Sequence, residues 1–437
     1  MTADPLPADV PDPPRWRRNV ALFLTGQTVS LFGSMLVQYA VMWYLTLTTK
    51  DGAVLALSTV FGFLPQAIIS VFGGVWADRH NRKLLAIGAD AAIAAATLTL
   101  AVLMAQGHQD LWLIYTALAV RSVGAGIQTP AVGALIPQLV PASRLLAING
   151  LNQTIQAGMM LIAPPVAAVL YATVPLAAIL GVDVATAAIG IGLLSLVPVA
   201  TLARTTQRQG YFTDLADGSR YVFSHPLVRW LLGLYAVVMV LAAAPSFLTP
   251  LMVARTFGEE VWKLTALELS FSIGMMLAGA TIGRWGRRFS RMTLIIAASI
   301  GFGALSIAMG LSTNLWVFLG FMFLTGVAVP AFSTPSMTVL QESVEPERQG
   351  RVFGFFGIVA ATAMPVGMAV FGPLANLRSV EFVLILAGLA TFAVAGIALA
   401  LPSGRRALQA ARSHTDPLAH GRIEAVGPAA RVRIPRG

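Results

Sequence analysis

The chain of 437 residues is 57% hydrophobic and only 11% charged, with a mean hydropathy of +0.76 and a formal net charge of +10. That balance excludes an ordinary soluble domain and places the chain in a membrane. Cysteine is absent, which excludes disulfides and thiolate metal ligands and leaves the redox compartment open.

Residues 1–19 are rich in Pro and Asp and lack a short apolar region with a small-residue cleavage site, so they read as a cytoplasmic lead-in and the first helix as an uncleaved anchor. Apolar runs long enough to cross about 30 Å of hydrocarbon as helix then recur at 20–47, 53–77, 84–105, 111–136, 147–172, 175–201, 228–253, 265–286, 291–311, 315–340, 352–375 and 381–401. They predict an all-α membrane protein of twelve spans. Five segments follow: the lead-in at 1–19, a six-helix half at 20–201, a cytoplasmic central loop at 202–227, a second six-helix half at 228–401, and a basic tail at 402–437 expected to be disordered. In the central loop, "GYFTDLADGSRYVFSHP" alternates apolar and polar residues as a short interfacial helix would.

Orientation follows from the basic residues, which stay cytoplasmic near span ends. Arg15, Arg17 and Arg18 precede the first span, Arg79, Arg82 and Lys83 sit between the second and third, Arg204, Arg208 and Arg220 follow the sixth, and Arg284, Arg287, Arg288 and Arg291 follow the eighth. The opposite loops hold only Lys50, Arg255, Lys263 and Arg378, so both termini are expected inside the cell. Dispersed over loops in this way, the arginines fit anionic lipid headgroups and not nucleic acid. Arginine outnumbers lysine 26 to 3 and alanine is abundant, which points to a GC-rich bacterial genome and hence to a bacterial cytoplasmic (inner) membrane.

The two halves are repeats. Aligning "GVWADRHNRK" (74–83) with "GATIGRWGRR" (279–288) matches Gly74 to Gly279, Arg79 to Arg284 and Arg82-Lys83 to Arg287-Arg288 at an offset of 205. At nearly the same offset Trp112 meets Trp316, Thr129-Pro130 meets Thr334-Pro335, and Pro141 meets Pro346. Asp78 falls on Gly283, so the second turn keeps the positive charge and loses the acid.

Six plus six helices and a turn of the form G-x-x-x-D-R-x-x-R-K resemble the major facilitator superfamily. Within it, "GFLPQAI", "DRHNRK" running into "IGAD", "RSVGAGIQTPA", "GRVFGF" and "AMPVG" resemble the macrolide-efflux (Mef-type) drug exporters. The resemblance covers roughly residues 17 to 402. It implies two pseudo-symmetric six-helix halves, both termini cytoplasmic, and a transport cavity between the halves.

Gly74 and Asp78 are four apart and share a helix face. The resemblance implies that they meet the start of the eleventh helix near Val352, where free N–H groups and the dipole favour a carboxylate. With Arg79, Arg82 and Lys83 on neighbouring helix ends and lipid phosphates, they would form a cytoplasmic gate. Asn81 stands where the family commonly has Gly, and Asn tolerates left-handed turn geometry. A basic turn that only sets topology explains the arginines but not Asp78.

Arg121 lies deep in the fourth span, as partner to substrate, to a titrating carboxylate, or to a permanent structural ion pair. Ala163-Pro164 and Ala167-Ala168 in the fifth span resemble the G-P-x-x-G-G element of antiporters, with alanine in place of glycine. Three acids lie in spans. Asp90, near Arg82, reads as structural; Asp183 and Glu268 are candidates for reversible protonation, because an apolar setting disfavours a charged carboxylate. Glu268 is close enough to the "EEVWKL" loop that simple hydration also fits.

Gln27, Ser30, Ser34 and Gln38 share one face of an otherwise apolar first helix and form a candidate cavity wall, with interhelical hydrogen bonding as the alternative. Tyr235 and Met239 are the matching candidates in the seventh span, where ordinary packing also fits. No catalytic residue, metal ligand or cofactor is expected. There is no G-x-x-x-x-G-K-[ST] loop, so the energy source would be an ion gradient and the chain no enzyme. The reading is a proton-coupled antiporter, expected to be monomeric, that exports amphiphilic drug-like compounds, possible macrolides among them. An exporter of an endogenous metabolite such as a siderophore or lysolipid, and a transporter-like receptor or scaffold signalling through its tail, stay open.

Overall fold

The computed structural model describes residues 15–199, 219–344 and 346–400; within helices, the surroundings of Gly74 and the side chains of Asp78, Arg79, Arg287 and a few others fall outside the described set. Most of the lead-in, the central loop and the whole tail beyond 401 therefore lie outside the described residues. Of the central loop, 219–224 is helical.

Twelve helices are long and apolar enough to cross a membrane, and no strand occurs among the described residues. We number them α1 (Trp16–Thr49), α2 (Gly52–Arg79), α3 (Arg82–Ala105), α4 (Leu111–Leu139), α5 (Leu145–Thr173), α6 (Leu176–Ser195), α7 (Pro226–Phe247), α8 (Val261–Trp285), α9 (Arg291–Gly310), α10 (Leu315–Ser343), α11 (Pro346–Leu377) and α12 (Val380–Ala400). Short polar residues begin several of them by accepting from free backbone N–H groups: Asp51 from Ala53 and Val54, Asn81 from Lys83 and Leu84, Ser290 from Thr293, and Asn314 from Trp316 and Val317.

The cap at Asn81 corrects a detail of the sequence reading. Its φ of −66° is not left-handed, so Asn is there to cap α3 and not to tolerate a turn. A second difference is α7, which runs on through Thr249–Met252 and a π-type turn at Val253–Phe257 before stopping at Gly258. Gly258 has φ +121°, a backbone that residues with a Cβ rarely adopt. This extension carries Arg255 to a position described below.

Lipid is as apolar as a side chain, so these helices associate through close packing and not through water exclusion. Small residues make that packing possible. Gly26 of α1 meets Gly190 of α6, Gly73 of α2 meets Gly126 of α4, Gly274 of α8 lies on the backbone of α10 at Phe323, and Gly303 of α9 meets Gly388 of α12. The pairs follow one plan in both halves: α1 with α6, α2 with α4 and α3 with α6 are matched by α7 with α12, α8 with α10 and α9 with α12. Between the halves, α2 packs on α11 and α5 on α8, again a matched pair.

The apolar core is one body at the end away from the termini, where Leu36, Val37 and Trp43 of α1 join Leu248 and Met252 after α7, Phe318 and Met322 of α10, and Met368 and Phe371 of α11. Toward the termini it separates. One cluster, with Phe23, Leu135, Leu139 and Leu194, belongs to the first half, and another, with Leu232, Phe302, Phe332 and Val352, to the second.

Candidate functional site

Four helices of the first half converge on Asp183, which is 1% exposed on α6. The guanidinium of Arg121 on α4 pairs with its Oδ2, and the same Nη1 donates to Thr97 Oγ1 on α3. Thr97 has Ile93 O at 2.9 Å and Asp183 Oδ2 at 3.2 Å as outlets for its single proton. Ser34 of α1 donates to Asp183 Oδ1 at 3.2 Å. Gly33 makes that bond possible, since a Cβ there would meet the Asp183 Cα at 3.1 Å and hold α1 away from α6. The result is a buried ion pair in which both carboxylate oxygens have donors.

A second polar contact lies on the same α3 face, one helical stretch nearer the termini. Asp90 is 4% exposed; its Oδ1 accepts from Gln128 Nε2 of α4 at 3.0 Å, and its Oδ2 is buried with no partner among the described residues. Gln128 Nε2 also lies 3.5 Å from Gln27 Oε1 on α1. Arg82, which the sequence places close to Asp90, sends Nε to Ala77 O at 3.0 Å and Nη1 to Ala134 O at 2.9 Å.

The remaining candidates fall as follows. Ser30 is buried beside Gly190 of α6 and Ser34 is bound to Asp183, while Gln27 is half-buried and Gln38 exposed. The stripe on α1 thus serves α6 through its serines and leaves its glutamines for other surfaces. Tyr235 lies among aromatic rings, with Phe356 of α11 at 4.5 Å and Phe332 of α10 at 5.6 Å, and Met239 packs on the edge of the same cluster. Glu268 is half-buried on α8 within the electrostatic reach of Tyr39 on α1. Ala163, Pro164 and Ala167 are buried and Ala168 partly so, on an α5 that packs against α1 and, across the halves, against α8. Lys83 Nζ donates to Ser195 O and Val197 O at 2.7 Å, where it complements the C-terminal dipole of α6. The surroundings of Gly74 and the side chains of Asp78 and Arg79 lie outside the described set.

A polar network that the sequence reading missed joins the halves at the end away from the termini. Asn376 at the end of α11 donates to Asp51 Oδ1 at 2.6 Å and accepts from Gly52 N at 2.8 Å. Arg255 Nε donates to Lys50 O at 3.1 Å, its Nη2 to Asn376 Oδ1 at 3.1 Å, and its Nη1 to Ala375 O at 3.1 Å. Lys50 pairs with Glu259. Partial burial pushes the Asp51 carboxyl up, but the hydrogen bonds from Asn376, Val54 and Ala53 and the charge of Arg255 outweigh it and hold the group below its usual 3.8. The available signal was that Lys50 and Arg255 are two of the four basic residues in that set of loops. Thr97 and Gln128 were missed as well, although Gln128 stands inside the quoted "RSVGAGIQTPA".

Residues 16–428 match the model of a family described as transmembrane secretion effector. Over 377 residues the chain is 30% identical to macrolide efflux protein A of Streptococcus pyogenes, covering 85% of this chain and 93% of that one. It is also 30% identical over 322 residues to macrolide efflux protein A of Enterococcus faecalis, covering 72% of this chain and all of the other. Among solved structures, a nucleoside transporter superposes with a TM-score of 0.68 at 13% identity, over 88% of this chain and 99% of that one, which supports the fold. Fold, family match and relatives agree: the chain belongs to the major facilitator superfamily, in its transmembrane secretion effector family, and is a multi-pass membrane transporter and not an enzyme.

Proposed function

We propose that this transporter is a proton-coupled secondary exporter of amphiphilic drug-like compounds, macrolides among them. The observation that carries the reading is a set of three acids at span depth, Asp90, Asp183 and Glu268, in a molecule whose halves share one apolar core at one end and, among the described residues, have separate apolar clusters at the other. An acid at that depth is costly unless it works with a proton or a permanent partner. A two-half transporter that exposes it alternately to each side converts a proton gradient into transport. The macrolide class comes from the names of the relatives.

In this reading the termini face the cytoplasm of a bacterial inner membrane, as the arginine distribution favours. The end at which the halves share one apolar core is then external. Asp78, with Gly74, Arg79, Arg82 and Lys83, would latch the cytoplasmic mouth when it closes, and the arginines would also hold anionic lipid. A monomer suffices in this reading, because both six-helix halves belong to one chain.

The test is a panel of macrolides and cationic dyes in a host stripped of its own efflux pumps, with and without an uncoupler. Protection that the uncoupler erases supports the proposal. Unchanged sensitivity across the panel favours export of an endogenous metabolite or a non-transport role.

A further inference from the structure

We propose that Asp90 is the proton-carrying carboxyl of the first half, and that Gln128 and Gln27 relay its state to the space between the halves. What the proton drives rests on the exporter reading above; where it binds does not.

Asp183 is poorly suited to the task, because its two oxygens are held by Arg121, Ser34 and Thr97. Adding a proton there would strand a guanidinium that is only 14% exposed. Asp90 has the opposite surroundings. A carboxylate offers about four lone-pair sites, and here one donor, Gln128, reaches one oxygen while the other is buried with no partner among the described residues. The charged groups that face it give no compensation. Asp183 on α6 is the like charge it feels, Arg121 on α4 is committed to Asp183, and Arg82 on α3 is turned to Ala77 O and Ala134 O. On α1 the facing group is Gln27, which is uncharged.

Packing does not account for an acid at this place. The repeat offset of 205 carries Asp90 onto Ile295, which is fully buried in the second half, and Gln27 onto Leu232, 3% exposed. The same fold closes there with plain hydrocarbon. The carboxyl is therefore an addition specific to the first half.

Chemically the relay is simple. Ionised Asp90 requires an N–H from Gln128. When a proton from water binds Oδ1, the oxygen that faces Gln128, the new O–H needs an acceptor, and Gln128 Oε1 supplies one once its amide turns over. No other bond forms or breaks, and the proton returns to water by the reverse path. Turning the amide changes what Gln128 offers Gln27, from an N–H donor to an altered or lost contact. Gln27 is half-buried, so substrate on one side and the proton on the other compete for one pair of amides.

Acid-minus-base infrared spectra of the full chain in vesicles, with no substrate present, test the assignment. The wild type should show a protonated-carboxyl band that Asp90→Asn removes and Asp183→Asn keeps, with Glu268→Gln as a separate control. Gln128→Leu should keep the band and move the pH at which it appears. If Asp90→Asn matches the wild type, the assignment fails. Asp90→Ile, which borrows the residue of the other half, guards against misfolding: it should retain the thermal transition and also lack the band. In the same vesicles with an imposed pH gradient, the wild type should accumulate erythromycin, whereas Asp90→Asn should bind it equally at all pH values and lose uphill accumulation. A wild type that shows the Asp90 band but moves neither erythromycin nor ethidium refutes the exporter reading alone; uphill transport by Asp90→Asn at the wild-type rate refutes the role of Asp90.

Discussion

In the first half, α3, α4 and α6 meet around Thr97, Arg121 and Asp183; in the second, α9 and α12 meet through Gly303 and Gly388, whose backbones nearly touch. The offset of 205 carries Asp183 onto Gly388, so the two junctions occupy the same place in the repeat. One is fastened by an ion pair and the other by the absence of side chains. At this junction the packing plan has been duplicated, and the ion pair has been kept on one side only. Of the three acids at span depth, Asp90 and Asp183 lie in the first half and Glu268 in the second, so the ion pair, and not acidity as such, is what distinguishes the halves.

The largest effect should come from breaking the charged junction. Arg121→Leu leaves Asp183 charged, buried and unpaired, and removal of one partner from such a pair typically costs about 3–5 kcal/mol. Protein yield and the thermal transition in detergent should both fall sharply. The double variant Arg121→Leu with Asp183→Leu, which imitates the hydrocarbon junction of the second half, should recover most of the loss. If the double variant stays as unstable as the single one, the pair holds the half together in a way the glycine junction does not reproduce.

The glycine junction should break by crowding. A Cβ on Gly388 would lie 2.5 Å from Gly303 O and 2.6 Å from Ile307 Cγ1, so Gly388→Ala must push α9 and α12 apart. Overpacking of this kind costs about 1–3 kcal/mol. Gly396→Ala, on the same helix with open space around its Cβ position, should stay within about 0.5 kcal/mol of the wild type. Equal melting of the two variants would mean that the helices of the second half slide freely.

Much of this architecture was legible in the sequence because lipid imposes length and composition on every span: twelve apolar runs became twelve helices, with ends displaced by a few residues. The repeat was legible too, through "GVWADRHNRK" and "GATIGRWGRR". What a single sequence could not supply was partnership. The stripe of Gln27, Ser30, Ser34 and Gln38 fixed a face of α1, but only packing showed that the serines turn to α6. Arg121 was visibly expensive, yet its choice of Asp183 over Asp90 depends on how α3, α4 and α6 are rotated. Asn376 gave no signal at all, being an ordinary helix-end residue until Asp51 and Arg255 arrive beside it.

That contact across the halves yields the next effect in size. Asn376→Leu removes the bonds to Asp51, Gly52 N and Arg255, each worth about 1 kcal/mol net. It should shift the balance between the two open states by roughly five-fold or more, without unfolding either half. Because the chain lacks cysteine, single cysteines placed at the far mouth report opening without background. Labelling there should rise in Asn376→Leu while the thermal transition barely moves. Labelling unchanged from the wild type would show that the apolar core at that end, with Trp43 and Phe318, seals it unaided.

The smallest effect expected is the pH response of the same contact. Asp51 is held below its usual 3.8 by Asn376, the backbone of α2 and Arg255. A depressed carboxyl contributes its stabilisation fully above its unfolded value and loses it as pH falls through the folded one. The far end should therefore stay equally closed from neutral pH down to about pH 5, and labelling should rise only as the medium is taken below about pH 4. The group is only partly buried, so the change should be modest and should weaken further in high salt. Asp51→Asn should remove the acid response and leave the labelling at neutral pH slightly raised, since an amide still accepts from Ala53 and Val54 but no longer attracts Arg255. A response that persists unchanged in Asp51→Asn would rule out Asp51 as its source.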